Sequence, residues 1–409
     1  MERIRKRKPE SWLLKGFFIF SLLFPAFYSP YTDVYQSAYY AKWSWAYVCL
    51  TLYLVLCLAR FWREGGERPW KKPGFWLYLG VLAAYNLFSL YFNHKYLHWY
   101  WEQINNTVAF VTFLVLACVR PSMDEREEEG DDNIRFLMGC IVLSNVASIV
   151  YYFMGYTKLL ICNNQFVFFE LPADFYESRH YWIYSHKSEY ALMLVGFIAL
   201  LTAYRKKFRN LWTFFASQAV LLFCLYLTHS WTGIAGVLLI FIGAALDGVE
   251  WKHFKLKKWY LAVAAVLAAV CGAVGWEILK ERNIWTLGNR VYIWRSALDV
   301  IKKHPEGWGL RFGESVFVAE PLDLMVTNAH NIFLNAVLRF SVPVGICFTV
   351  LFLGIAVYSV RKAKSFLAAG MWLALLVLLD MDYALQSPQM GLLFLVVYLV
   401  CFKNKREQA

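Results

Sequence analysis

The chain has 409 residues, of which 59% are hydrophobic, 19% aromatic and only 17% charged, which is more apolar surface than one water-soluble core can hide. The bilayer is therefore its expected solvent. The formal charge of +12 does not point to nucleic acid, because the basic residues fall in short groups between apolar runs instead of lining one face. The nine cysteines are scattered, with neither the pairing of a disulfide framework nor the CxxC spacing of a zinc site.

A spanning helix needs about 20 apolar residues, and about twelve such runs follow one another along the chain. They cover residues 12–28, 43–61, 75–92, 104–120, 135–154, 190–204, 211–228, 231–247, 259–279, 331–360, 365–380 and 388–402. This predicts an all-α polytopic membrane protein, a single integral membrane domain over 1–409, with a large extracytoplasmic loop at 280–331 between spans 9 and 10. Arg3, Arg5, Lys6, Arg7 and Lys8 before the first run give it the outline of a signal peptide. The spans that follow and the lack of a small-residue cleavage site favour an uncleaved helix.

With the amino terminus inside, alternate loops obey the positive-inside rule. Arg60–Lys72, Arg205–Arg209, Lys252–Lys258, Arg361–Lys364 and Lys403–Arg406 fall inside, so both termini are expected in the cytoplasm. The acidic segment Asp124–Asp132 joins them as a solvated loop, since acidic residues weigh little in the rule. Outside fall Ser29–Lys42, Asn93–Gln103, Gly155–Ser188, a tight turn at His229–Ser230, the 280–331 loop and Asp380–Pro388. Aromatic residues crowd the span ends, Tyr96, Trp99, Tyr100 and Trp101 among them, as an interfacial belt does.

The long outer loop carries the chemistry. Val291, Trp294, Leu298 and Ile301 step by three and four, predicting an amphipathic helix on the membrane that ends at His304-Pro305. Asn289 reads as its N-cap, placing Arg290 in a first turn whose free N–H groups attract anions. Gly307, Gly309 and Gly313 read more readily as a plain turn than as a phosphate nest. Asn328 reads as a second N-cap, putting His330 in a first turn where the helix dipole keeps the imidazole neutral and able to accept a proton.

The run Arg290-Val-Tyr-Ile-Trp294-Arg-Ser-Ala-Leu298, then His304-Pro305, Gly307 and Gly309, then Ala329-His330-Asn331 with Leu334 and Gly345, resembles the signature of the O-antigen ligase and polymerase family of bacterial membrane glycosyltransferases. The resemblance spans roughly 60 residues. It implies a GT-C-like enzyme of about twelve helices in the bacterial cytoplasmic (inner) membrane, with its site on the extracytoplasmic face. It further implies an undecaprenyl-diphosphate-linked glycan as donor, and lipid A core or another lipid-linked glycan as acceptor, in O-antigen, lipopolysaccharide or capsule biosynthesis. By the same resemblance Arg290 binds the diphosphate and His330 activates the acceptor hydroxyl, beside Trp294 and Asn331. A diphosphate departs without a general acid once its charge is neutralised, so neither metal nor cofactor is expected.

One departure stands out. The family's second arginine lies in a turn that reads Thr228-His229-Ser230-Trp231 here, and its role is left open between His229, Arg179, Arg295 and Arg311. His186 and Lys187, entering the sixth span, are further candidates beside an interfacial reading. Rival signals are a DxD-like Asp380-Met381-Asp382 and the pair His94 and His98, for which span-end chance and interfacial packing are the better readings. The alternative function is a transporter or flippase of a lipid-linked glycan, which should show related halves and helices broken near mid-membrane; the sequence shows neither clearly.

Overall fold

The computed structural model describes residues 9–28, 37–64, 69–94, 99–119, 128–162, 165–172, 179–184, 186–248, 289–307, 317–320, 322–326, 328–381 and 390–402. The expected ninth span at 259–279 and the candidate Arg311 lie outside them. The helices are α1 (Pro9–Leu22), α2 (Ser37–Glu64), α3 (Pro73–Asn93), α4 (Trp99–Val119), α5 (Glu128–Phe153), α6 (Lys187–Ala203), α7 (Leu211–Leu227) and α8 (Trp231–Asp247). After them come α9 (Arg290–Lys303), α10 (Ile332–Phe340), α11 (Val342–Ala363), α12 (Phe366–Met381) and α13 (Met390–Cys401). Strands β1 (Ala26–Tyr28), β2 (Tyr156–Cys162) and β3 (Gln165–Glu170) form one small sheet in the order β1-β2-β3. A second holds β4 (Phe317–Ala319) against β5 (Leu324–Val326).

The chain is a polytopic, helical membrane protein. Trp45–Arg63, Pro73–Asn93, Gly130–Phe153 and Val342–Ala363 are long and apolar enough to cross a membrane, and five shorter apolar helices accompany them. Two helices form the centre. Every residue of α13 is buried, as are the fourteen from Ser188 to Leu201 on α6, the behaviour of helices apolar all round. Around them α3, α8 and α11 bury one stripe each and expose large apolar side chains such as Leu77, Ile242 and Ile346. Helix α8 lies against α12 through small residues. A Cβ on Gly370 would strike the Leu239 carbonyl, and one on Gly243 the Phe366 carbonyl, the close approach that drives helix pairing where lipid removes the hydrophobic drive.

Helices α8 and α12 run in opposite directions, with Gly243 at Phe366 and Gly370 at Leu239, whereas α1 and α5 run in the same direction, with Ser11 at Asn133 and Leu22 at Ser144; these contacts mark two ends of the bundle. At one end Asp247, closing α8, caps α12 by accepting from Phe366 N (2.7 Å), Leu367 N (3.0 Å) and the Ser365 hydroxyl, a carboxylate where the dipole favours one. At the same end Lys15 of α1 pairs with Asp132 (2.5 Å), while Asp131 takes both Lys207 (2.6 Å) and Arg135 (2.7 Å). The acidic segment is thus no solvated loop from Glu128 onward; its aspartates open α5 and tie it to α1 and to the turn after α6.

At the other end the expected span 331–360 proves to be two helices. Ser341, at φ 129°, ends α10 and caps α11 through its hydroxyl to Val344 N. A 30-residue helix would be about 45 Å long, half as long again as the hydrocarbon core of about 30 Å, and the surplus folds into α10. Asn93, closing α3, holds this junction by donating to the Phe340 carbonyl (2.9 Å). Gly307 (φ 84°) packs there too, its missing Cβ leaving room for Ser341 N and Phe340 C, and Val342 N donates to the Pro305 carbonyl. That close approach is what the glycine serves.

Helix α9 does not bury the stripe expected of it. Ile293 and Ala297 are buried in a small second core with Ala319, Val326, Ala329 and Leu338, while Leu298 is 45% exposed. The reason is tertiary: α9 packs on β4–β5 and α10, which the periodicity of one helix does not reveal.

Candidate functional site

Arg290 opens α9 and is partly buried. Its Nε donates to the carbonyl of Met381, the last residue of α12, at 2.6 Å. Asn289 stands at the N-cap position in the left-handed region (φ 74°) and makes no side-chain cap hydrogen bond, contrary to the sequence expectation. The first turn, where the dipole attracts anions, stands beside the Arg290 guanidinium. Trp294, one turn on and on the same face, carries a buried indole N–H with no hydrogen-bond partner. Arg295 lies on the exposed side of the helix.

The histidine turn is also built differently from expectation. Asn331, not Asn328, caps α10, its Oδ1 accepting from Phe333 N (3.0 Å) and Leu334 N (2.9 Å). His330 therefore precedes the helix, held at φ 47° by an Asx turn in which its N–H donates to Asn328 Oδ1 (2.9 Å). A left-handed histidine costs on the order of 1 kcal/mol, and Asn335 fixes the turn from below by accepting from Ala329 N (2.8 Å). The Asn331 amide then reaches Asp380 Oδ1 at 3.2 Å. Arg290 and Asn331 thus bond adjacent residues of the α12 terminus, Met381 and Asp380, which joins the arginine to the histidine turn.

A second group of cations gathers at the same end of the bundle. His229 occupies the α7–α8 turn at φ 52°; its pKa is depressed first by burial, then by the charges of Lys187 and Arg179. The backbone brings these segments together, because His180 N donates to the Leu227 carbonyl (2.9 Å) just before that turn. Lys187 is the first residue of α6, and His186 is its cap, with Nδ1 accepting from Ser188 N. The His186 ring therefore serves the helix as well as the surface. Among the described residues, every non-glycine with positive φ except Lys364 lies at this end: Trp182, His229, Asn289, Asp323, His330 and Ser341. Backbone strain of this kind clusters where function demands a fixed geometry.

Residues 216–349 match the family model Wzy_C, O-Antigen ligase. Over these residues the chain is similar to the O-antigen ligase family. No curated protein matches it. The O-antigen ligase match spans about a third of the chain, from the middle of α7 into α11, and takes in His229, Arg290, Trp294, Asn331 and His330. Arg179, Lys187 and Asp380 lie outside it. The match supports a ligase- or polymerase-like role in polysaccharide biosynthesis.

The O-antigen ligase end of the bundle also contains groups that sequence reasoning missed. Asp380 read only as half of a metal pair; its partner Asp382 lies outside the described residues, and among those residues no cluster suited to a metal is found. Its contact is to Asn331. His94 bonds the Leu90 and Tyr91 carbonyls at the end of α3, and His98 lies outside the described residues. His180, fully buried, bonds Ser148 Oγ through Nε2 (2.7 Å); Ser148 meets Tyr190 (2.8 Å), and Tyr190 donates to Asn145 Oδ1 (2.7 Å). Each hydroxyl has one proton, so the chain of bonds closes only if His180 Nε2 donates to Ser148 and Ser148 to Tyr190. Burial pushes the His180 pKa down to about 4, keeping that neutral tautomer. The only available signal was a histidine next to a candidate cation, Arg179.

Proposed function

We propose that the chain transfers a glycan from undecaprenyl diphosphate to an acceptor hydroxyl, on lipid A core or on another lipid-linked glycan. The site lies on the extracytoplasmic face of a bacterial inner membrane, and both termini are cytoplasmic. His330 accepts the acceptor's proton on a ring nitrogen, the freed oxygen forms the new bond to the anomeric carbon, and the bond from that carbon to the diphosphate breaks with its electron pair leaving on the diphosphate. No general acid is required, because a diphosphate whose charge is matched is a good leaving group.

In this reading side chains supply the matching charge. Arg290 faces the departing oxygen, with the α9 first turn and the Trp294 indole N–H beside it, and Arg179, Lys187 and His229 take the place of the family's second arginine. Asp380 positions the turn through Asn331. The observation that carries the proposal is the bridge made by the α12 terminus, which binds Arg290 through Met381 and Asn331 through Asp380. Without it the two motifs would be only neighbours in sequence pattern. The test is transfer in membranes from a purified lipid-diphosphate glycan, comparing wild type with Arg290→Ala and His330→Ala. Both variants are expected to insert normally and to lose transfer; undiminished turnover in His330→Ala removes it as the base.

A further inference from the structure

The hairpin β2–β3 presents an exposed apolar edge, although Phe168 packs one side against Tyr151 and Tyr156 and Phe169 lies 5.8 Å from the Lys158 ammonium. Strand β3 is the free edge of its sheet, since β1 pairs with the other side of β2. Phe166 is 59% exposed, Phe168 52% and Phe169 42%. Phe166 and Phe168 pair opposite Ile161 and Leu159, whereas Phe169 pairs opposite Lys158, so alternation places exposed rings on both faces of one strand. Isolated exposed apolar residues need no explanation, but three phenylalanines within four positions of one edge strand form a patch.

The surroundings say what meets it. Helix α5 exposes Leu143, Val146, Val150 and Phe153, a stripe at three- and four-residue spacing along a candidate span. It continues through exposed Met154 and half-buried Gly155 into the hairpin, whose base is closed by Leu171 N donating to the Gly155 carbonyl (2.7 Å). A saccharide stacking on the hairpin would cover one face; an apolar fluid covers both. The geometry points to β3 being immersed in the lipid bilayer at its headgroup–acyl boundary, an interfacial anchor continuous with the lipid-facing stripe of α5. Gln165 and Glu170, both exposed, bracket the three rings and keep the ends of the strand at the polar level.

The test places p-benzoylphenylalanine singly at 166, 168 or 169 in the full chain, reconstituted in phosphatidylethanolamine–phosphatidylglycerol vesicles, and identifies the photo-adducts by mass. Position 143 on the α5 stripe serves as the lipid-facing control and position 302 on α9 as the water-facing one. Phospholipid adducts are expected at 166, 168 and 169 at a yield within about twofold of position 143. Yields no higher than at 302 overturn the inference. So do adducts from one face only, or adducts to a second copy of the chain or to an added lipid-linked glycan in place of phospholipid. If a substituted chain fails to fold, hydroxyl-radical labelling of the unsubstituted protein decides the matter. The three phenylalanines should be labelled as weakly as Phe153, and labelling well above that of Phe153 rejects the anchor.

Discussion

His330 and His229 are both histidines in left-handed turns, yet they are asked to do different things. In the proposed reaction His330 exchanges a proton, so His330→Ala is expected to lower kcat by about 10²- to 10⁴-fold, the usual worth of a general base, with little change in KM for the donor. Arg290→Ala removes charge from the developing leaving group and should cost about 10²- to 10³-fold, and Arg290→Lys should restore only part of it because a lysine lacks the planar fork. His229 has its pKa lowered by burial and by Lys187 and Arg179, so it is neutral at pH 7. An arriving diphosphate reverses the local sign and raises that pKa. Donor binding is therefore expected to take up a proton and to tighten as the pH falls; calorimetry in buffers of different ionisation enthalpy measures this, and His229→Asn should abolish the uptake. Residue types were readable from the sequence at this scale. The cap was not, because Asn328 and Asn331 are equally good N-caps and only the Asp380 contact and the turn beneath distinguish them.

Elements fix these side chains through their ends. Gly307→Ala puts a Cβ 2.6 Å from Ser341 N at a φ of 84°; the clash and the strain together should cost about 1 to 3 kcal/mol, seen as a lower Tm and a loosened α10–α11 junction. His180 feeds its relay from a buried ring that burial keeps neutral. Its pKa of about 4 lies below the ordinary 6.5, so the unfolded chain binds the proton more readily. The contribution of His180 is fully present above about pH 6.5 and is lost as the pH falls toward 4, amounting to about 3 kcal/mol. Thermal unfolding across that range is expected to show the loss, and His180→Asn should flatten it. Helix α10 was hidden from sequence reading because it is as apolar as the span it precedes, and the β2–β3 hairpin because its strands lie in a stretch that reads only as a long outer loop.

For the whole molecule the decisive question is which end faces the cytoplasm. The Asp131–Lys207–Arg135 group and the Arg290–His330 group lie at opposite ends of the bundle. In a cysteine-free background, Lys206→Cys should resist a membrane-impermeant thiol reagent in intact cells and His304→Cys should react; the reverse pattern inverts the proposed topology.

The sequence by itself determined a membrane-embedded helical protein, its resemblance to the O-antigen ligase family over residues 216–349 and the residue types at its candidate site, because hydrophobic length, charge bias and motif spacing are local properties of a chain. Only the tertiary structure decided that the α12 terminus joins Arg290 to the histidine turn, that Lys187 and Arg179 act on His229, and that the long tenth span is two helices. Those facts depend on contacts between residues as many as 247 positions apart, and no local pattern of polarity encodes which distant carbonyl or carboxylate a side chain will find.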